Sequence, residues 1–170
     1  MFPFLWVSEL MHHEMKLRFG LDLELSLHNT LSILTPDVIR VADSGSQRER
    51  LSSLRDTNTD DLQKSAAVLI LPALFKEDAK FLYCLDEEPL CFQPSSSRVA
   101  RRASIKMDGI TIASGEMDAL QCLLEVYYIF GVEYHMQIKD TLAFTEHYLF
   151  KIPSQKRVST PVLRLYNEIG

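Results

Sequence analysis

The chain has 170 residues, of which 46% are hydrophobic and 24% are charged. This balance is typical of one soluble globular domain that can bury a core without metals or disulfides. The net charge of -5 comes from acids and bases spread along the chain, which disfavours a broad surface for nucleic acid.

Three cysteines and a short apolar start favour an intracellular location, either the cytoplasm or the nucleus. The number of cysteines is odd. The apolar stretch at the start is shorter than the core of a signal peptide, and no basic residue precedes it. The longest apolar run, Ala66 to Phe75, is about half of what spans a bilayer. We therefore predict no membrane segment.

The first elements in chain order are helical. Val7 to Phe19 places apolar residues at i, i+4 spacing and is followed by Gly20, a natural stop signal. Residues 21–27 alternate as a strand would, yet leucine and glutamate favour helix and the leucine spacing continues helically, so we predict a helix. Pro36 is predicted to open a separate short helix, Asp37 to Asp43.

A polar stretch and a buried helix come next. Residues 44–59 form the most polar part of the chain and are predicted to be a flexible loop. Leu62 to Leu71 is predicted to be a helix, and it should be buried because residues 66–71 are apolar on every side. Pro72 is expected to bend or end it.

Two β-hairpins are predicted in the middle of the chain. Short apolar runs on either side of Asp86-Glu87-Glu88 predict one hairpin between residues 81 and 92. Runs on either side of Asp108-Gly109, a strong two-residue turn signal, predict a second between residues 104 and 113. Residues 93–103 are expected to form a surface loop.

Two long apolar helical patterns, Glu116 to Phe130 and Ile138 to Phe150, follow the hairpins, and Val158 to Ile169 predicts a short last helix. The polar residues of the second pattern that should face solvent are Lys139, Glu146 and His147. The expected fold is a single α+β domain over residues 1–170, mainly helical, with one or two small β-hairpins packed on helices.

The pattern of residues predicts no catalytic, cofactor-binding or metal-binding site and no cofactor. His13-Glu14 resembles the start of a zinc-protease motif, but Leu17 stands where its second histidine belongs. Cys84 and Cys91 are separated by more residues than zinc pairs usually have, and a second pair is missing. Since no nucleophile, base and stabiliser occur together, we predict that the chain is not an enzyme.

The basic segment, residues 98–106, supports two further hypotheses. Its four positive residues, with no negative residue among them, are Arg98, Arg101, Arg102 and Lys106. They would contact phosphates weakly, which predicts weak nucleic-acid association. The same segment places Ser104 after two arginines and a spacer, a pattern favoured by basic-directed kinases, so Ser104 is a candidate phosphorylation site. A plain solvated surface is the alternative, and a paired strand at Ser104 would count against phosphorylation.

Aromatic residues are concentrated between Tyr127 and Phe150. Without arginine and lysine interleaved among them, they favour core packing over base stacking. Aromatic side chains that stay at the surface would form a groove for a partner protein. The leading functional prediction is therefore a non-enzymatic protein-interaction module with an unknown protein partner.

Several short motifs occur in a recognisable order along nearly the whole chain. They are Phe2-Pro3 before the first helix, Leu71-Pro-Ala-Leu-Phe-Lys-Glu77, the strand pair near Ile105 and Ile112, Leu124-x-x-Tyr-Tyr-Ile-Phe-Gly-Val-Glu-Tyr134, and Thr141-Leu-x-Phe with Leu149-Phe-x-Ile152. This order resembles the C-terminal region of vertebrate sterile alpha motif domain-containing protein 3-like proteins. That family often has proline where this chain has His135. The resemblance implies a shared fold unit, without the sterile alpha motif domain and with no catalytic residues to carry over.

Overall fold

The computed structural model describes residues 8–20, 22–45, 47, 60–79, 104–107, 110–114, 116–131, 133–153 and 157–170. The elements are α1 (Ser8–Phe19), α2 (Leu23–Ser44), α3 (Asp60–Leu74), β1 (Ser104–Met107), β2 (Ile110–Ser114), α4 (Glu116–Ile129), α5 (Lys139–Phe144), a π-helix (Thr145–Leu149) and α6 (Thr160–Ile169). No helix in these ranges combines the length and the apolar character needed to cross a bilayer.

A tight connection joins α1 to α2. Gly20 adopts φ 64° and donates its amide to the Lys16 carbonyl at 2.8 Å, which closes α1 in the left-handed conformation that glycine tolerates. Asp22 then caps α2, because its side-chain oxygen accepts the Leu25 amide at 3.1 Å. Residues 23–27, which alternate as a strand would, are therefore helical, as the leucine spacing predicts.

Pro36 and Pro72 both lie inside helices. The separate helix predicted after Pro36 is wrong, because α2 runs through Pro36 as one helix of 22 residues. Proline removes one amide donor from the helix. The burial of residues on both sides of it, such as Leu31 and Val38, stabilises the continuous helix. Pro72 likewise lies inside α3, which ends only two residues later at Leu74.

The hydrophobic core contains buried residues from the six α-helices and from the π-helix. α2 contributes one buried face, and α3 contributes the apolar residues between 66 and 71 that the sequence predicts to be buried. Phe144 and Phe150, both fully buried, fill the space beside the π-helix.

The α+β class is therefore wrong, because most of the described residues are helical and the core is built from helices. The extended backbone in the described residues is a short antiparallel ribbon, in which Ser104 lies opposite Ser114 and Met107 opposite Ile110. A two-stranded ribbon of this size is too small to form a sheet layer. The hairpin predicted between residues 81 and 92 and the loop 93–103 lie outside the described residues, as does most of the loop 44–59.

A π-helix follows α5 directly. The Phe150 amide bonds to the Thr145 carbonyl at 2.9 Å, five residues back, so the turn is wider than an α-helical turn. Such single π turns occur often at functional sites. Glu146 lies in this turn and is buried, four residues after the buried Leu142 and three before the buried Leu149, so it shares their helix face.

Candidate functional site

The segment between α4 and α5, residues 130–138, exposes large apolar side chains. Met136 is 78% exposed and Phe130 is 43% exposed, while Ile138 at the end of the segment is fully buried. Gly131, with φ 62°, turns the chain sharply after α4. We call the described residues 130–131 and 133–136 the exposed connection; it lies in the part of the chain where the aromatic pattern predicts a partner surface.

Two tyrosines hold the exposed connection against the core through Glu146. The Tyr128 hydroxyl donates to Glu146 Oε1, and the Tyr134 hydroxyl donates to Glu146 Oε2. Glu146 is only 1% exposed, which corrects the prediction that this side chain faces solvent. A buried carboxylate needs strong donors on both oxygens, and the two phenols provide them. These three residues form the tyrosine–glutamate cluster.

The cluster keeps the Tyr134 hydroxyl protonated. Burial, and then the hydrogen bond to the Glu146 carboxylate, raise the pKa of Tyr134 well above its usual value near 10. Aromatic contacts fix both rings, since Tyr127 meets Tyr134 edge-on at 5.1 Å and Phe19 meets Tyr128 edge-on at 5.2 Å. The exposed connection is therefore anchored to the core at Tyr134.

Glu77 provides a second anchor near the exposed connection. Its two carboxylate oxygens accept the amides of Asp140 at 2.8 Å and Thr141 at 2.9 Å, which are unpaired donors at the start of α5. Ile138, the residue before α5, cannot cap the helix with its own apolar side chain. A carboxylate more than sixty residues away in the sequence therefore acts as the cap.

A second buried polar group, the histidine–glutamate cluster, joins α1 to α4. The Glu125 carboxylate is fully buried and lies 2.6 and 2.7 Å from His12 Nδ1. Gln121 Nε2 donates to Glu125 Oε1 at 2.9 Å. Gln121 Nε2 also lies 3.1 Å from His12 Nδ1, so both side chains meet at the same carboxylate. The cluster satisfies Glu125 with two donors from separate helices.

A cavity of about 250 Å³ lies beside the histidine–glutamate cluster, between α1, the start of α2 and α4. The residues lining it are Glu9, His12, His13, Lys16, Asp22, Leu23, Glu24 and Gln121. The Leu25 amide and then the Lys16 ammonium hold the pKa of Asp22 below its usual range, so Asp22 stays ionised. Its partner Lys16 lies 3.3 Å away.

The structure places only part of the predicted basic segment. Ser104 is the first residue of β1 and is paired with Ser114, and Lys106 lies opposite Thr111. Arg98, Arg101 and Arg102 lie outside the described residues, so the hypotheses of nucleic-acid contact and of Ser104 phosphorylation stay predictions. Pairing of β1 means that a kinase would have to open the ribbon before it could bind Ser104 in an extended form.

The sequence patterns above predict neither cluster, although the sequence contains a signal for both. Glu125 stands three residues after Cys122 and four before Ile129, and Glu146 stands four after Leu142 and three before Leu149, so both lie on apolar helix faces, where a carboxylate is buried only when donors surround it. Gln121, four residues before Glu125, is a local donor. The donors His12, Tyr128 and Tyr134 come from other helices or from the exposed connection, which no local pattern identifies. Among the described residues, no group of three or more histidine, cysteine, aspartate and glutamate side chains is arranged to hold a metal ion.

Comparisons of the chain with protein-family models, with curated proteins and with solved structures found no match. The resemblance to the C-terminal region of sterile alpha motif domain-containing protein 3-like proteins therefore stays a prediction.

Proposed function

We propose that this chain is a non-enzymatic protein-interaction module that acts inside the cell. The observation that carries this proposal is the exposed connection, where Phe130 and Met136 face solvent on a segment fixed by the tyrosine–glutamate cluster. Exposed aromatic and methionine side chains on a rigid support are typical of protein-binding surfaces. An intracellular location fits the odd number of cysteines in the chain.

The partner this surface fits is a protein with an apolar pocket that receives Phe130 and Met136. Glu133 and His135 of the exposed connection are also solvent-exposed, and they would form a polar rim around the apolar side chains. Binding to such a surface costs little ordering entropy, because the segment is already held in one conformation.

The internal use of both buried carboxylates supports a binding role over a catalytic one. Glu146 accepts hydrogen bonds from Tyr128 and Tyr134, and Glu125 accepts them from His12 and Gln121. Carboxylates that serve catalysis are held where a substrate can reach them. In this chain their hydrogen bonds tie helices together.

Proximity labelling in cells tests the proposal with two matched variants. Met136→Glu places a charge on the exposed connection, and Leu17→Glu places the same charge on α1 at a site that is 69% exposed. Both should keep the circular dichroism spectrum of the wild type, because both sites are solvent-facing. We expect the wild type and Leu17→Glu to label the same partners and Met136→Glu to lose them.

The opposite pattern would overturn the proposal. If Met136→Glu keeps the full partner set, the exposed connection does not carry binding. A charge at Tyr128 would be a poor substitute for this test, since its hydroxyl belongs to the tyrosine–glutamate cluster and the variant would disturb folding.

A further inference from the structure

We propose that α1 is a pH-sensitive clamp on α4. The protonated imidazole of His12 holds α1 in place through the buried Glu125 carboxylate, and loss of that proton loosens α1. The consequence of this clamp for partner binding rests on the proposed function, because α1 also supports a tyrosine that anchors the exposed connection. The clamp itself does not depend on any partner.

The contact between His12 and Glu125 joins an accessible group to an inaccessible one. The Glu125 carboxylate is fully buried, and its Oε2 lies 2.6 Å from His12 Nδ1. The His12 side chain is 37% exposed, so its imidazole can exchange a proton with solvent. A positive partner stabilises a buried carboxylate strongly, because the protein interior solvates the negative charge poorly. Folding therefore favours the protonated imidazole.

The other charged groups near His12 do not replace this partner. The elements that pack most closely on α1 are α4 and α2. The ionisable side chains that line the cavity beside His12 come from α1 and α2, and they are Glu9, His13, Lys16, Asp22 and Glu24. The Lys16 ammonium lies 3.3 Å from Asp22, and the three carboxylates further favour a positive charge on the imidazole. Within the described residues, His12 is the ion-pair partner that the structure gives Glu125.

Docking of α1 should weaken as the pH rises. Since the folded chain binds the His12 proton more tightly than the unfolded chain does, the contact contributes fully below about pH 6.5, where an ordinary histidine is protonated. Its contribution is lost as the pH rises above that value. For one linked proton, the equilibrium between docked and loosened α1 changes by at most about tenfold for each pH unit.

Loosening of α1 uncovers a buried thiol. Met11 of α1 and Cys122 of α4 are both fully buried and pack in one small apolar cluster, with Val126 and Ile129 against it. Reagents reach the Cys122 thiol only when α1 moves away from α4. The reaction rate of this thiol therefore reports the opening of α1.

The last residue of α1 connects the clamp to the exposed connection. The Phe19 ring meets the Tyr128 ring edge-on at 5.2 Å. The Tyr128 hydroxyl donates to Glu146, which also accepts the Tyr134 hydroxyl. Loosening of α1 removes the support of the Phe19 ring from the tyrosine–glutamate cluster, so the partner surface loses one of its supports at higher pH.

Labelling of Cys122 with N-ethylmaleimide at pH 6, 7 and 8, followed by peptide mass spectrometry, tests the clamp. His12→Gln keeps an amide donor near Glu125 but has no proton to lose in this range. The ratio of the wild-type labelling rate to the His12→Gln rate cancels the intrinsic pH dependence of the thiolate. We expect this ratio to rise at least about threefold between pH 6 and pH 8. A constant ratio would overturn the proposal.

His13→Gln, a change at the exposed neighbouring imidazole, is the matched control and should keep the wild-type pH dependence. If His12→Gln does not fold, NMR titration of the His12 imidazole in the wild type provides a second test. We expect His12 to keep its proton to a higher pH in the folded chain than in urea, and an equal or lower midpoint would overturn the proposal. Since neither measurement involves a partner, failure of the clamp is distinguishable from failure of the proposed function.

Discussion

Tyr134 and Glu146 link the surface of the molecule to its core, because the Tyr134 hydroxyl donates directly to Glu146 Oε2 across twelve residues of sequence. Tyr134 belongs to the exposed connection, and Glu146 belongs to the π-helix. Any change that weakens this bond should therefore affect the stability of the fold and the shape of the proposed partner surface together.

Tyr134→Phe should lower the free energy of unfolding by about 1 to 3 kcal/mol, because the variant leaves one oxygen of a buried carboxylate without its donor. Urea unfolding followed by circular dichroism measures the change. Tyr127→Phe is the matched control, since its ring contacts Tyr134 but no hydrogen bond of its hydroxyl is found among the described residues. Equal losses in the two variants would mean that ring packing, rather than the hydrogen bond, stabilises this region.

The contribution of Tyr134 to stability should disappear at high pH. The pKa of Tyr134 is raised in the folded chain above its unfolded value near 10. Its contribution is thus fully present below pH 10, and it falls by about 1.4 kcal/mol for each pH unit above 10, because only the unfolded state releases the proton. Urea unfolding at pH 8, 9, 10 and 11 should show the advantage of wild type over Tyr134→Phe shrinking from pH 10 upward. A constant difference across this range would contradict the buried, hydrogen-bonded state of the hydroxyl.

His12→Ala should destabilise the chain by about 2 to 3 kcal/mol, because it leaves the buried Glu125 carboxylate with Gln121 as its remaining donor. This loss of unfolding free energy is smaller than that expected for a fully buried ion pair, since the His12 side chain is 37% exposed. His13→Ala removes the exposed neighbour and serves as the control in the same unfolding experiment. In the His12→Ala, Glu125→Leu double variant part of the lost stability should return, and a further additive loss would show that the pair is not coupled.

Glu77→Ala should cost about 1 to 2 kcal/mol, because both free amides at the start of α5 lose their acceptor. Amide hydrogen exchange of Asp140 and Thr141 reports the effect locally, and both should exchange faster in the variant. Glu133→Ala, a change at an exposed carboxylate on the exposed connection, should leave these two amides protected as in the wild type. Unaltered exchange in Glu77→Ala would show that another group caps α5.

Local sequence patterns predicted most helices but not where they break. The leucine spacing of α2, the apolar segment of α3 and the stop at Gly20 are local signals, and each appears in the structure. Pro36 and Pro72 are local signals too, yet both lie within helices because burial on either side outweighs the loss of one hydrogen bond. The predicted α+β class failed for a related reason, since short strand-like runs cannot form a layer without further strands to pair with.

The position of Glu146 shows what the sequence by itself could and could not determine. Its neighbours at 142, 145 and 149 follow a helical period and are buried as predicted. Glu146 shares that face, four residues after Leu142 and three before Leu149, but its charge led to the wrong prediction that it faces solvent. In the structure its carboxylate is buried and accepts hydrogen bonds from the hydroxyls of Tyr128 and Tyr134. Apolar periodicity therefore determined which helical faces are buried, because burial of apolar surface depends on each residue's own type. The tertiary structure alone decided which polar residues meet inside, because a buried carboxylate is stable only where donors from distant segments converge on it.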